Sequence, residues 1–214
     1  MKNESRYLNG ECVAIPMDRM RRPTPAKEKP GFAQIIRIIT APPLTAGLLL
    51  IFLRQAGFFP GASFWMGLLC LTFLPLLAYL VWLVVPSLLF GGRVTQRKTA
   101  VAFSVVGYLV GGAYCLFYSV GRLELTVFLT YLLSGILIAF GSKVLKFPIS
   151  GHACGTAGPI AVLVYARGAW WLMGLIVLAA VIWSSLQMKR HTLPQLLAGA
   201  ASSVLSMCFW LSIL

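Results

Sequence analysis

Acidic residues are scarce in this chain. Its 214 residues include only five aspartates and glutamates, against 18 lysines and arginines, so that the formal net charge is +13. Four of the carboxylates fall within the first 30 residues, and the fifth is Glu124. A magnesium ion that bridges a phosphate normally needs one or two protein carboxylates. The sequence therefore predicts no metal site, and it argues against isoprenyl-transfer folds that are built on Asp-rich magnesium motifs.

Charged residues of either sign are also few, and cysteine pairs are missing. Only 11% of the residues are charged and 59% are hydrophobic, which points to a bilayer as the main solvent. The five cysteines are scattered, without a C-x-x-C pair or metal-ligand spacing, and we expect them to be small buried side chains. No apolar segment follows Met1, so we expect no cleavable signal peptide.

Seven long apolar stretches are present, at about 38–57, 63–90, 99–119, 124–141, 152–166, 169–185 and 194–213. About 20 apolar residues cross a bilayer as a helix. The predicted fold is an all-α membrane protein, a polytopic bundle of six to seven transmembrane helices over residues 37–214. Within it, Gly107 and Gly111 form a G-x-x-x-G pair that predicts tight helix packing.

The N-terminal segment, residues 1–36, differs from the rest in composition. It is polar, contains four prolines and has a basic cluster at Arg19, Arg21 and Arg22. Such a composition argues against a packed core. We interpret the segment as a flexible cytoplasmic tail that can lie on anionic lipid, and we expect no nucleic-acid partner and no cofactor.

The distribution of lysine and arginine predicts the orientation. If seven spans alternate, 15 of the 18 basic residues lie on the side that carries the tail and the loops 91–98, 142–151 and 186–193. The other side has only Arg54, Arg122 and Arg167. By the positive-inside rule, the N-terminus and the basic edge face the cytoplasm, in the cell membrane or inner membrane.

The chain has two histidines, His152 and His191, and both fall on this basic side. The basic residues of its three loops are Arg93, Arg97, Lys98, Lys143, Lys146, Lys189 and Arg190. The stretch KFPISGHACG starts an apolar helix at Ser150 and Gly151, and a helix N-terminus with cations around it is a phosphate cradle. Two imidazoles beside such a cradle can divide phosphoryl transfer between a nucleophile and an acid. Taken singly, the cations are also explained as topology signals or lipid anchors, and the histidines as interfacial hydrogen-bonding groups.

Two segments resemble motifs of a known family. PISGH at 148–152 is similar to the Pro-Ser-Gly-His motif of the type 2 phosphatidic acid phosphatase and haloperoxidase superfamily, with Ile149 inserted. SSLQMKRHTLPQ at 184–195 resembles its next motif, which is Ser-Arg, five residues, His, three residues, Asp. Here Ser185 replaces the arginine and Gln195 replaces the aspartate. A branch with His-Thr, two residues, Gln and a following Gly is similar to His191 through Gly199.

The resemblance covers about residues 90–210, and it implies a membrane phosphatase that hydrolyses a lipid phosphate or a prenyl diphosphate without a metal. It would make His191 the nucleophile and His152 the acid. The implied phosphate-binding groups are Ser150, Gly151, Arg93, Arg97, Lys98, Lys146 and Arg190, with 93–98 standing in for the family's first motif. Arg190 or Lys189 would compensate for the arginine that is missing at Ser185.

Gln195 lies four residues after His191, a spacing at which side chains meet on a helix. Its amide oxygen can accept the proton of imidazole Nδ1 and so set the tautomer. A neutral amide stabilises an imidazolium less than a carboxylate does, which predicts a less basic His191. The alternative is that Gln195 only caps or packs the last helix.

Two other functions stay open on the sequence. One is a relative that has lost hydrolysis and binds or moves anionic lipid, or scaffolds a partner, and the missing arginine and aspartate favour it. The other is transfer of the phosphoryl or head group to an alcohol in place of water. A cytoplasmic site would suit a substrate that is made inside the cell, such as a prenyl diphosphate or phosphatidate.

Overall fold

The chain divides into two units, Met1–Gly31 and Phe32–Leu214. The computed structural model describes residues 6–8, 11–13, 31–85 and 92–214. In the first unit, strand β1 (Arg6–Leu8) pairs antiparallel with β2 (Glu11–Val13), a hairpin that the composition of the tail does not predict. The second unit begins at Phe32, five residues before the predicted start of the bundle, because a short amphipathic helix precedes the first long apolar helix.

In the described part of the second unit, all regular secondary structure is helical. Its α-helices are α1 (Phe32–Ile39), α2 (Pro42–Gln55), α3 (Gly61–Gly67), α4 (Leu74–Val84), α5 (Gly92–Phe117), α6 (Arg122–Lys143), α7 (Gly151–Arg167), α8 (Leu175–Gln187) and α9 (Leu193–Ile213). A π-helical segment, Leu68–Phe73, joins α3 to α4, and a 3₁₀ helix, Ala169–Gly174, leads into α8.

Among the described residues, five helices are long and apolar enough to cross a membrane: Gly61–Trp82, Lys98–Phe117, Arg122–Lys143, Ala169–Gln187 and Leu193–Ile213. The number is six if α1 and α2, which meet at a bend of 48°, form one broken span. The helical membrane fold is thus confirmed. A count of six to seven spans stays a prediction, since α7 has only 17 residues and is not among these candidates.

The bend between α1 and α2 follows from two consecutive prolines. Pro42 and Pro43 occupy the first turn of α2, where a missing N–H costs nothing. The residue before a proline is driven out of the helical region, and Ala41 is extended with φ −59° and ψ 137°. The helix therefore stops at Ile39 and starts again in a new direction.

Helix α7 is the most buried helix, and α2 compensates for the proline inside it. Pro159 has no N–H to offer the carbonyl of Gly155, four residues earlier. The hydroxyl of Thr45 on α2 donates to that carbonyl at 2.7 Å. A Cβ on Gly155 would collide with the ring of Pro42, so the two helices are in backbone contact here.

The tight packing predicted for the glycine pair of α5 is confirmed. A Cβ on Gly107 would clash with the carbonyl oxygen of Cys70, and one on Gly111 would clash with the ring of Phe128. Gly107 and Gly111 thus bring α5 against the π-helical segment and α6. The expectation that the cysteines are buried holds for Cys70 and Cys154, whereas Cys208 on α9 is exposed.

Candidate functional site

One end of the bundle brings together three chain segments that are far apart in sequence. These are the C-terminal end of α1, the start of α7 and the connection from α8 to α9. α1 packs against α8, while α7 packs against both α8 and α9. Both histidines lie at this end, because His152 is the second residue of α7 and His191 precedes α9 by two residues.

The start of α7 is formed by the predicted serine and glycine. The Oγ of Ser150 accepts the N–H of Ala153 at 3.4 Å, and its side chain is fully buried. Gly151 is exposed as the first helical residue, and a Cβ there would meet nothing within 4 Å. The first N–H groups of a helix have no partner within the helix and carry a partial positive charge. Gly151 therefore leaves room for an anion at this terminus.

The start of α9 lies directly against the start of α7. The N–H of Ser150 donates to the backbone carbonyl of Gln195 at 3.1 Å. A Cβ on Gly199, one turn further along α9, would clash with the carbonyl oxygen of Ser150. The two motif segments are therefore joined through their backbones.

Gln195 determines the tautomer of His191. Nδ1 of His191 lies 3.2 Å from Oε1 of Gln195, and the backbone N–H of Thr192 donates to the same atom at 3.1 Å. An atom that accepts a backbone N–H must be the amide oxygen, so Nδ1 of His191 carries the proton and donates it. The lone pair of the neutral ring is then on Nε2. The predicted contact between Gln195 and the imidazole is confirmed, and the same side chain also caps α9.

His152 is held by a residue that the motif analysis did not select. Nη2 of Arg37 lies 3.4 Å from Nδ1 of His152, and Nε2 of His152 lies 3.3 Å from the carbonyl oxygen of Arg37. A guanidinium can only donate and a carbonyl can only accept. His152 is therefore the opposite tautomer to His191, with its proton on Nε2.

Arg37 also contacts Ser185, the residue that stands where the resembled motif has an arginine. Its Nη1 donates to Oγ of Ser185 at 2.8 Å, across 148 residues of sequence. The expected compensation by Arg190 or Lys189 stays a prediction, and the guanidinium that reaches Ser185 comes from α1. In the sequence, the only signal is an arginine between isoleucines, and an ionisable residue inside an apolar segment is costly enough to indicate a role.

The site is cationic. Burial, together with the charges of Arg37, His191 and Arg190, lowers the pKa of His152 to about 4, while the hydrogen bond to the Arg37 carbonyl acts in the opposite direction. The only carboxylate in residues 31–214 is Glu124, which lies at the other end of the bundle. An arrangement of arginines and imidazoles that has no carboxylate near it among the described residues is suited to an anion.

The comparisons with known proteins identify no relative. No family model, no curated protein and no solved structure matches the chain. The family resemblance consequently stands on the two motif segments and on the contacts between them.

The other predicted cations are less closely tied to the histidines. Arg190 is exposed and acts on His152 through its charge. Lys146 is exposed in the loop before α7, and Lys98 is exposed near the start of α5; no described contact joins either to a histidine. The side chains of Arg93 and Arg97 lie outside the described residues.

An open cavity of about 810 Å³ lies at the opposite end of the bundle. It is lined by the ends of α2, α7 and α9 and by the start of α6, including Phe58, Glu124, Tyr165 and Leu211. Fourteen residues of α7 separate its lining residue Ala166 from His152, about 21 Å at 1.5 Å per residue. Neither histidine lines this cavity, so the volume of a cavity does not by itself identify the candidate site.

Proposed function

We propose that this protein is an integral-membrane phosphatase, which hydrolyses a phosphomonoester or diphosphate on a lipid or prenyl chain through a phosphohistidine. The observation that carries the proposal is the pair of oppositely oriented imidazoles at one cationic end of the bundle. Gln195 directs the Nδ1 proton of His191 inward to itself, which leaves Nε2 as the nucleophilic atom. His152 lies close enough for the two rings to influence each other electrostatically.

The proposed reaction has two steps, phosphorylation of His191 and hydrolysis of the phosphohistidine. In the first, Nε2 of His191 forms a bond to phosphorus, the bond to the leaving oxygen breaks, and protonated His152 gives that oxygen its proton. In the second, water attacks the phosphohistidine, neutral His152 takes a proton from the water, and phosphate leaves His191. Arg37, Arg190 and the N–H groups at the start of α7 stabilise the charge on the oxygens that do not react. The scarcity of carboxylates in residues 31–214 supports a reaction that needs no protein-bound metal.

A second candidate function is binding or movement of an anionic lipid without hydrolysis. It is favoured by the neutral Gln195 and by the contacts of His152, whose two ring nitrogens both face Arg37. Such a protein would bind phosphate at this end without forming a covalent bond. Transfer of the phosphoryl group to an alcohol would use the same first step and a different acceptor.

Phosphate release from a substrate panel tests the proposal. Purified protein in detergent, with a chelator present, is offered phosphatidate, lysophosphatidate and a prenyl diphosphate. We expect release from at least one substrate, and loss of that release in His191→Ala, because the phosphohistidine cannot form without the nucleophile. A phosphorus signal bound to a histidine nitrogen, trapped by rapid acid-free quenching, would identify the intermediate.

Gln187→Ala is a matched control, since Gln187 is an exposed side chain on α8 at the same end of the bundle. It should keep the wild-type rate. If wild-type protein releases no phosphate from any substrate, or if His191→Ala is as active as the wild type, the protein is not a phosphatase of this kind. Binding of phosphate without turnover would then support the lipid-binding candidate.

A further inference from the structure

Arg37 is a cation in an apolar surrounding whose described hydrogen-bond partners are neutral. Its guanidinium contacts the Ser185 hydroxyl and the His152 imidazole, and it is only partly exposed. Arg190 is near enough for the two positive charges to repel each other, and Tyr79 on α4 also influences Arg37 electrostatically. A partly buried guanidinium is costly without a compensating negative charge. The described part of the site therefore has a surplus of positive charge that an anion would neutralise.

The contacts of Arg37 are of a kind that an anion can replace. A guanidinium binds two oxygens of a phosphate with parallel hydrogen bonds, which are roughly twice as strong as bonds between neutral groups. The bond to Nδ1 of His152 is long at 3.4 Å, whereas the bond to Ser185 is 2.8 Å. A phosphate oxygen would thus take the Nη2 donor from His152 while Ser185 keeps the guanidinium in place.

The same exchange would change the state of His152. A neutral His152 has no proton to give a leaving oxygen from Nδ1, because that atom is the acceptor of the Arg37 bond. Once the guanidinium turns to a phosphate, Nδ1 is open to a proton from solvent, and the negative charge nearby favours the imidazolium. Nε2 keeps its bond to the carbonyl of Arg37, which holds the ring in position.

We propose that Arg37 is the principal phosphate-binding residue of this site and that it keeps His152 neutral until a phosphate group binds. The proton that reaches the leaving oxygen then comes from Nδ1 of His152. This inference rests on the proposed function for its chemical step, but its binding part holds for any protein that takes a phosphate here. The groups whose charges act on His152 are Arg37 from α1 and Arg190 and His191 from the α8–α9 connection.

Nuclear magnetic resonance of the two histidines provides the direct test, because the chain contains only these two. Protein with labelled histidine, without an affinity tag, is measured in detergent at about pH 6, near the ordinary range of imidazole. His191→Gln assigns the signals. Without phosphate we expect neutral His152 as the Nε2–H tautomer and His191 with its proton on Nδ1. Saturating inorganic phosphate should convert His152 to the imidazolium.

Two substitutions of Arg37 separate the effect of its positive charge from the effect of the shape of its guanidinium. Arg37→Gln should weaken the binding of inorganic phosphate at least tenfold and remove its effect on His152, while Arg37→Lys keeps a charge and should retain part of both. Arg54→Gln is the matched control: Arg54 also follows apolar residues on a helix, but its guanidinium lies over the ring of Phe64, 4.4 Å from its centre. This control should leave phosphate binding and the His152 signal unchanged.

The outcomes distinguish the two proposals. If Arg37→Gln and Arg37→Lys bind phosphate as the wild type does, or if phosphate leaves His152 neutral, the inference about Arg37 is wrong even where His191→Ala abolishes turnover. If no substrate is hydrolysed but phosphate protonates His152 only when Arg37 is present, the hydrolase proposal fails and the inference stands. Where turnover is found, Arg37→Gln should raise KM and shift the acidic limb of the kcat profile, effects that a purely structural arginine would not produce together.

Discussion

At the scale of single residues, the two histidines differ in how far their surroundings could be predicted. His191 and Gln195 are four residues apart at the start of a helix, so their spacing predicts the contact, which the structure has at 3.2 Å although His191 precedes α9. Arg37 and His152 are 115 residues apart, and no local rule connects them. The sequence consequently predicts which nitrogen of His191 is protonated, but not that of His152.

The first prediction concerns the charge at position 195. Gln195→Asp places a carboxylate near Nδ1 of His191, where it would favour the imidazolium and strengthen the polarisation of the ring. We expect the midpoint of the His191 titration to move up by about one pH unit, and the pH profile of phosphate release to move with it. Histidine resonance shifts measured against pH give the first quantity, and initial rates give the second.

Gln187→Asp adds the same charge on the exposed surface of α8 and should leave both quantities unchanged. Gln195→Leu removes the acceptor of the Nδ1 proton of His191. It should reduce the rate of phosphate release, and the imidazole should no longer be held in the Nδ1–H tautomer. An unaltered titration in Gln195→Asp would mean that Gln195 acts only as the cap of α9.

At the scale of elements, the site depends on the close approach of α7 and α9. The carbonyl of Ser150 fills the space above Gly199, and the carbonyl of Gln195 accepts the N–H of Ser150. The contact places His152 and His191 on neighbouring helix starts. Glycine at position 199 is required by this approach, since any side chain there would separate the backbones.

The second prediction follows from that contact. Gly199→Ala should force α9 away from Ser150 and destabilise the protein by about 1–3 kcal/mol, as other overpacked sites do. Because the displacement is at the site, phosphate binding should weaken as well. Thermal unfolding in detergent and phosphate titration measure the two effects.

Two other glycines of the bundle serve as controls. Gly112→Ala puts a methyl group 3.6 Å from Leu132, an ordinary contact, and should be neutral or stabilising by up to about 1 kcal/mol through helix propensity. Gly107→Ala clashes with Cys70, away from the histidines, so it should lower stability and leave phosphate affinity unchanged in the folded fraction. Equal phosphate affinity in Gly199→Ala and Gly112→Ala would show that the contact does not position the site.

At the scale of the whole molecule, the outer surface is apolar over several helices. Large side chains such as Leu116, Phe117 and Trp170 are more than four-fifths exposed, at 84%, 83% and 81%. Aromatic residues of this kind are typical of the membrane–water interface. These three belong to the end of the bundle that carries the cavity, whereas the histidines and the basic loops belong to the other end.

The third prediction tests which end faces the cytoplasm. Single cysteines replace the exposed residues Lys146, in the α6–α7 loop, and Ser119, in the α5–α6 loop, in a chain whose native cysteines are changed to alanine. In intact cells an impermeant thiol reagent should label position 119 and spare position 146. Both should react after the membrane is permeabilised. Labelling of position 146 from outside would reverse the orientation that the basic residues predict.

The sequence by itself determined the class of fold and part of the geometry of the candidate site. Apolar stretches of about 20 residues can satisfy their backbone groups only as helices in lipid, so the helices follow from composition and length. The positions of the prolines and of Ser150 likewise predict where helices begin. The pairing of His191 with Gln195 follows from their spacing of four residues at the start of α9.

Only the tertiary structure decided which basic side chain contacts His152. Basic residues near a membrane surface look alike in sequence, because each can serve topology, lipid or ligand, and their long side chains carry no periodic pattern. The packing of α1 against α8 brings Arg37 to Ser185 and His152, and it leaves Lys146 and Lys98 without a described contact to either histidine. A residue from the first helix thus reaches Ser185, which stands where the resembled motif has an arginine, because residues far apart in the sequence can be neighbours in the folded chain.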